Sequence, residues 1–163
     1  MAASTIIKDL YDGTMTLREG TGSPVTLVVP FSVGNLVISG LKAAMRATNK
    51  YETRGVLNSA RKGARVYATG SFSCQVADFF DGTARTVLEF LAQLGASSGN
   101  ASTLSNGDVY CLDLIWDVEG TALGDALDHQ LVLEECDCTF DIQEGEPIML
   151  NVNFEVLGAW SGT

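Results

Sequence analysis

The residues that can do chemistry are few and poorly placed for it. His129 is the single histidine, at the start of a polar-flanked stretch. One imidazole leaves most metal centres and most proton relays short of partners, so His129 is expected at the surface. Cys136 and Cys138 form a Cys-x-Cys pair in period with Val132 and Phe140. A zinc site needs two further thiolates or imidazoles at useful spacing, whereas Cys74 and Cys111 lie on apolar or mixed segments of their own. Thiols in such settings pack as small hydrophobes, and no metal or other cofactor is expected. Gly95-Ala96-Ser97-Ser98-Gly99 matches the elbow of serine hydrolases, with Asp108 and His129 following in order. That elbow needs a strand before its serine and a helix after it; here a helical stretch comes before and a Gly/Ser/Asn-rich stretch after. The match is read as chance. Gly20-Thr21-Gly22 lacks the third glycine and the helix of a dinucleotide site, and the sequon Asn100-Ala101-Ser102 carries no weight without a secretion signal. The expectation is a chain with no catalytic residues, not an enzyme.

Charge is more informative. The 163 residues carry a net charge of −10, which argues against direct binding of nucleic acid or anionic membrane. The distribution is lopsided. Seven of the ten bases (Lys42, Arg46, Lys50, Arg54, Arg61, Lys62 and Arg65) fall between positions 42 and 65 against one acid, Glu52, a local charge of +6. From residue 66 onward one base, Arg85, faces sixteen acids, a local charge of −15. Opposed parts of this kind can attract copies of the same molecule. Lys8 and Asp9 interrupt the first apolar residues, and the run 27–31 is far too short to cross a membrane. The expectation is a soluble protein made in the cytoplasm with reduced thiols.

The elements that must carry these residues are mostly strands. Residues 13–19 and 24–29 flank a Gly20-Thr21-Gly22-Ser23 turn and read as a hairpin. A short strand is predicted at 35–39. Alternation marks strands over 66–77, 109–119 and 148–157, and over 128–142 it slips near Glu134-Glu135, which predicts a bulge. Ala84, Val87, Leu88, Leu91 and Leu94 recur at helical spacing, predicting a helix over about 83–94, capped by Thr83 or Asp81 and ended near Gly95. Residues 41–65 have neither period. Their first turns read as helical and the rest as a loop or protruding hairpin, and a connection of that length usually has a job. The fold class is mainly β: an antiparallel sandwich or barrel, two sheets over one core, with one flanking helix and a long arm, in a single domain spanning 1–163.

With these elements in place, the chain resembles the tail tube (major tail) proteins of siphophages, the long non-contractile tails. The likeness is clearest over Gly34-Asn35-Leu36-Val37-Ile38-Ser39-Gly40, over 67–82 running into the helix, and over 127–158 with its Glu144-Gly145-Glu146-Pro147 turn. It looks less like the tubes of contractile tails and type VI secretion. The resemblance implies six copies per ring, rings stacked into a hollow tube that passes the genome, and an arm over 41–65 that reaches a neighbouring subunit. It implies tape-measure, tail-terminator and distal-tail partners, a place in the virion tail, and DNA as cargo that does not stick. Six copies at −10 each would carry −60, and an acidic wall repels DNA within about 8 Å of itself at physiological salt. The polar strand positions Asp113, Asp117, Asn151, Asn153 and Glu155 are the candidates to line that lumen, and the seven bases of the arm are the candidate subunit interface. A β-sandwich binding or decoration module that does not form tubes is the alternative.

Overall fold

A strand with one wet face must alternate, and β9 (Met149–Val156) does so: Leu150, Val152, Phe154 and Val156 are buried, while Asn153 and Glu155 are exposed. The same rule forms β6 (Ala68–Gln75), which buries Ala68, Phe72 and Cys74, and β7 (Cys111–Val118), which buries Leu112, Leu114 and Val118. The computed structural model describes residues 13–30, 32–41, 46–81, 84–106, 108–120 and 127–162. The expected helical turns at 42–45, Lys42 and the cap at Thr83 lie outside them.

Around these strands run β1 (Gly13–Arg18), β2 (Thr26–Val28), β3 (Val37–Ser39), β8 (His129–Gln143) and β10 (Trp160–Gly162). One antiparallel sheet takes them in the order β2-β1-β7-β8-β9-β6-β3, with β10 beside β8. The predicted hairpin is β1–β2. Two separate sheets were expected, and the structure has one that rolls up. The reason is the short link between its edges. Val29 donates to the Met15 carbonyl in β1 (2.8 Å), and Val33 donates to Ser73 in β6 (3.1 Å). Four residues span at most about 14 Å, so the two edges of the sheet lie close together and the barrel half of the expectation holds.

The predicted bulge is present. Leu112 pairs with Cys136 and Leu114 with Leu133, so Asp113 faces two residues, Glu134 and Glu135, and Glu135 takes φ of 54°. One residue more on β8 restores the inward direction of Cys136 after Leu133; both are buried. At Gly70 the strand needs a missing side chain: a Cβ there would run into the Phe154 ring and the Val37 carbonyl. Phe154 instead lies across Gly70 toward Phe72, ring centroids 6.4 Å apart.

The helix, α1 (Val87–Ala92), is shorter than the spacing predicts. Asp81 does not cap it. The cap is Thr86, whose hydroxyl accepts the Glu89 N–H (3.1 Å) while the Glu89 carboxylate accepts the Thr86 N–H (3.1 Å), a reciprocal capping box. Gln93 turns left-handed and ends it, before Gly95 is reached. Leu94 therefore leaves the helical face and is exposed. Val87, Leu88, Phe90 and Leu91 join the side chains of the barrel in one core.

Candidate functional site

The stretch without a readable period is a two-stranded hairpin standing off the barrel: β4 (Arg46–Thr53) and β5 (Val56–Arg65), a sheet of their own. Arg54 and Gly55 form the connection with φ of 53° and 80°, the two positive values a tight type I′ turn requires. All of its residues are exposed except Ala47 and Gly63, which are half-buried. The expected helical reading of Arg46 is corrected: it begins β4, opposite Arg65.

Six of the seven predicted interface bases, Arg46, Lys50, Arg54, Arg61, Lys62 and Arg65, are brought together on this arm. Among the described residues none of them is ion-paired with an acid of its own chain. Arg46 facing Arg65 places like charges across the ladder, which destabilises it. Two of the bases have local contacts. Arg61 lies over the Tyr51 ring at 6.0 Å, and Arg65 lies over Tyr67 at 4.8 Å. Arg65 also grips the barrel, donating to the carbonyls of Leu157 (2.6 Å) and Gly158 (3.1 Å). The arm has a fixed foot and a bare shaft. Its tip adds exposed apolar groups that charge counting passes over: Tyr51, Val56 and Leu57.

The five lumen candidates do not stay together. Asn151, Asn153 and Glu155 line up on the outer face of β9, where Asn153 faces Thr139 and Glu155 faces Asp137 on β8. Ser73 Oγ donates to Asn151 (2.7 Å) and Asn35 holds Ser73 from both sides, a polar ladder across the sheet. Asn153 and Glu155 border a shallow concavity of about 590 Å³ with Thr69, Ser71, Asp137 and Thr139. Asp117 accepts from Gln130 (2.6 Å), nearer the far end of β8. Asp113 departs from the reading of a wet residue. It is buried, accepts the Glu135 N–H of the bulge (3.0 Å), and takes Arg18 through Nη2 (2.6 Å) and Nε (3.1 Å). The slip in alternation at Glu134-Glu135 is what could have revealed this, because the widened backbone needs an acceptor opposite it.

The residues weighed for catalysis are scattered. Ser97 is fully buried in a short turn after α1, and His129 is exposed at the opposite end of β8 from Gln143. Cys74 and Cys136 belong to the core, and Cys138 packs against it. Burial pushes the thiol of Cys74 up to about 11 and that of Cys138 up to about 12. Burial, helped by Asp137, does the same to Cys111, up to about 11. Such thiols are neutral at ordinary pH and poor nucleophiles.

No protein-family pattern matches the chain, and no curated protein matches it. Solved structures do. A chain of the PVC sheath/tube terminator in the extended state, from an extracellular contractile injection system, matches with a TM-score of 0.58 at 14% identity over 99% of both chains. A chain of the PVC sheath-tube complex matches with a TM-score of 0.54 at 16% identity, again over 99% of both. A chain of the anti-feeding prophage tube terminating cap matches at 0.54 and 14%, over 100% of this chain and 95% of that one. At these identities the likeness establishes a shared fold along the whole length. The two PVC chains come from a contractile injection system, the branch that the sequence resemblance placed second.

Proposed function

We propose that this chain is a structural subunit of a tail or tail-like tube, acting by assembling with copies of itself and doing no chemistry. The observation that carries the reading is the arm: residues 46–65 hold +5, stand in solvent, and belong to a chain whose remainder is strongly acidic. A lone two-stranded hairpin is marginal in water, and like charges across its ladder weaken it further. A basic hairpin of this kind gains its partner, and its stability, on an acidic neighbour. A head-to-tail contact of that sort propagates into rings or filaments. The shared fold supports the reading, since the matched chains come from tube, sheath and cap assemblies of injection systems.

The finer reading follows from the family likeness: rings of six, stacked into a tube in a virion tail, with Asn151, Asn153 and Glu155 toward a lumen that gives DNA nothing to bind. A long non-contractile tail is the setting the sequence resemblance favours. Negative-stain microscopy of concentrated protein tests it, with rings or filaments expected. Protein that stays monomeric at every concentration and salt, with and without a preformed tube end as template, overturns it. A second reading, a ring that closes the end of a tube, draws on the terminator and cap among the matched structures; it gives single rings that never extend. A decoration module would give a discrete monomer or trimer.

A further inference from the structure

The arm and a second feature lie at opposite ends of the barrel. β6 starts at Ala68, three residues beyond the foot of the arm at Arg65, and runs about 23 Å to Gln75. There the chain enters the segment 76–81, which with Pro30 and Leu88 surrounds a cleft of about 160 Å³. Val76, Ala77 and Leu150 give it apolar walls, and Asp78, Asp81 and Arg85 also line it. Phe79 and Phe80 stand exposed beside it, 40% and 61% accessible. Two adjacent exposed aromatics in a turn are costly to leave in water.

The same end gathers acids. Gln75 and Gln143 both face Met149 across the sheet, so the turn that carries Glu144 and Glu146 sits at this end with Asp78, Asp81 and Asp141. Asp78 and Asp81 line the cleft beside one base, Arg85, and Asp141, Glu144 and Glu146 add three acids at the same end of the sheet. The arm at the other end carries the reverse, six bases and one acid behind an apolar tip of Val56 and Leu57. A dry cavity of about 150 Å³ is large enough to admit benzene, so the cleft has room for one leucine-sized group.

We propose that this cleft receives the arm tip of a second copy, Leu57 seated against Ala77 and Leu88 while the bases of the shaft meet the acids around it. This rests on the reading of the chain as a self-assembling tube subunit and adds the acceptor. Donor and acceptor are on opposite ends, so each copy stacks on the next and the contact cannot close as a symmetric pair. The layout gives the polymer a direction.

Two substitutions test it, both at exposed positions that leave the core alone. Ala77→Trp fills the cleft and Leu57→Ser blunts the tip. Both are expected to keep the melting temperature and the near-ultraviolet circular dichroism of the parent, yet to stop at monomers or single rings where the parent forms filaments. A protein lacking residues 50–62 but with an open cleft, mixed with Ala77→Trp, should form one-to-one complexes by sedimentation. Neither should form filaments alone. Filaments of normal length from either folded variant overturn the proposal while leaving tube assembly standing. A parent chain that never polymerises removes the tube reading, and the stacking junction falls with it.

Discussion

β9 and β5 are strands of similar length, eight and ten residues, built on opposite principles. β9 buries every second side chain in the barrel core, whereas nine of the ten residues of β5 are exposed. The first is held by apolar area removed from water, at roughly 25 cal/mol per Å². The second is held by a two-residue turn, a hydrogen-bonded ladder and the grip of Arg65 at its foot. The difference separates what makes this chain fold from what, on the proposed reading, makes it assemble. The barrel carries its own core, while the arm leaves nearly all its side chains in water.

The sharpest way to break that separation is to damage each side alone. Phe72→Ala should cost the barrel about 3–5 kcal/mol in urea denaturation. Deleting residues 50–62 should change barrel stability by no more than about 0.5 kcal/mol and abolish rings and filaments. A barrel that unfolds without its arm would end the comparison. Next in size is Asp113→Ala, which strips the bulge at Glu135 and Arg18 of their acceptor. Arg18 is partly open to solvent, so the loss should be about 1–3 kcal/mol, measured by urea midpoint and unchanged by arm deletion.

A smaller effect is set by pH. Burial alone would raise the Glu19 carboxyl, but the Thr21 hydroxyl, the Val25 and Ala101 N–H groups and the Arg85 charge outweigh it and hold its pKa below the usual value. A carboxylate lowered by folding stabilises the native state above its unfolded pKa and loses that contribution as pH falls through the folded one. Barrel stability should therefore hold above pH about 4.5 and drain away below it, more gently in Glu19→Gln, as urea midpoints on either side will register. The smallest expected change is none: all four thiols should resist Ellman's reagent at neutral pH until denaturant is added, with or without the arm.

The same split decides what the sequence discloses. β6, β7 and β9 are legible because a core on one face imprints a period of two, and the bulge is legible because the period slips there. The arm has water on both faces, so nothing imprints a period on it, and only its charge and the Arg54-Gly55 turn mark it. The helix start was written as Thr86-x-x-Glu89, a capping box, yet Asp81 and Thr83 compete for the same role. Asp113 looks wet from its neighbours and is dry because a bulge twenty-two residues away claims it. The cleft is illegible by spacing, since Pro30, Ala77 and Leu88 meet only in the folded chain; the adjacent pair Phe79-Phe80 within a turn was its one trace.

Arg65 ties the foot of the arm to the carbonyls of Leu157 and Gly158, in the kink where β9 hands over to β10. The foot of the arm is thus clamped to backbone that β8 itself holds, since Leu157 and Gly158 donate to the carbonyls of Glu135 and Glu134. A ten-residue strand reaches about 33 Å, so the angle fixed at that clamp sets where the far end of the hairpin lies.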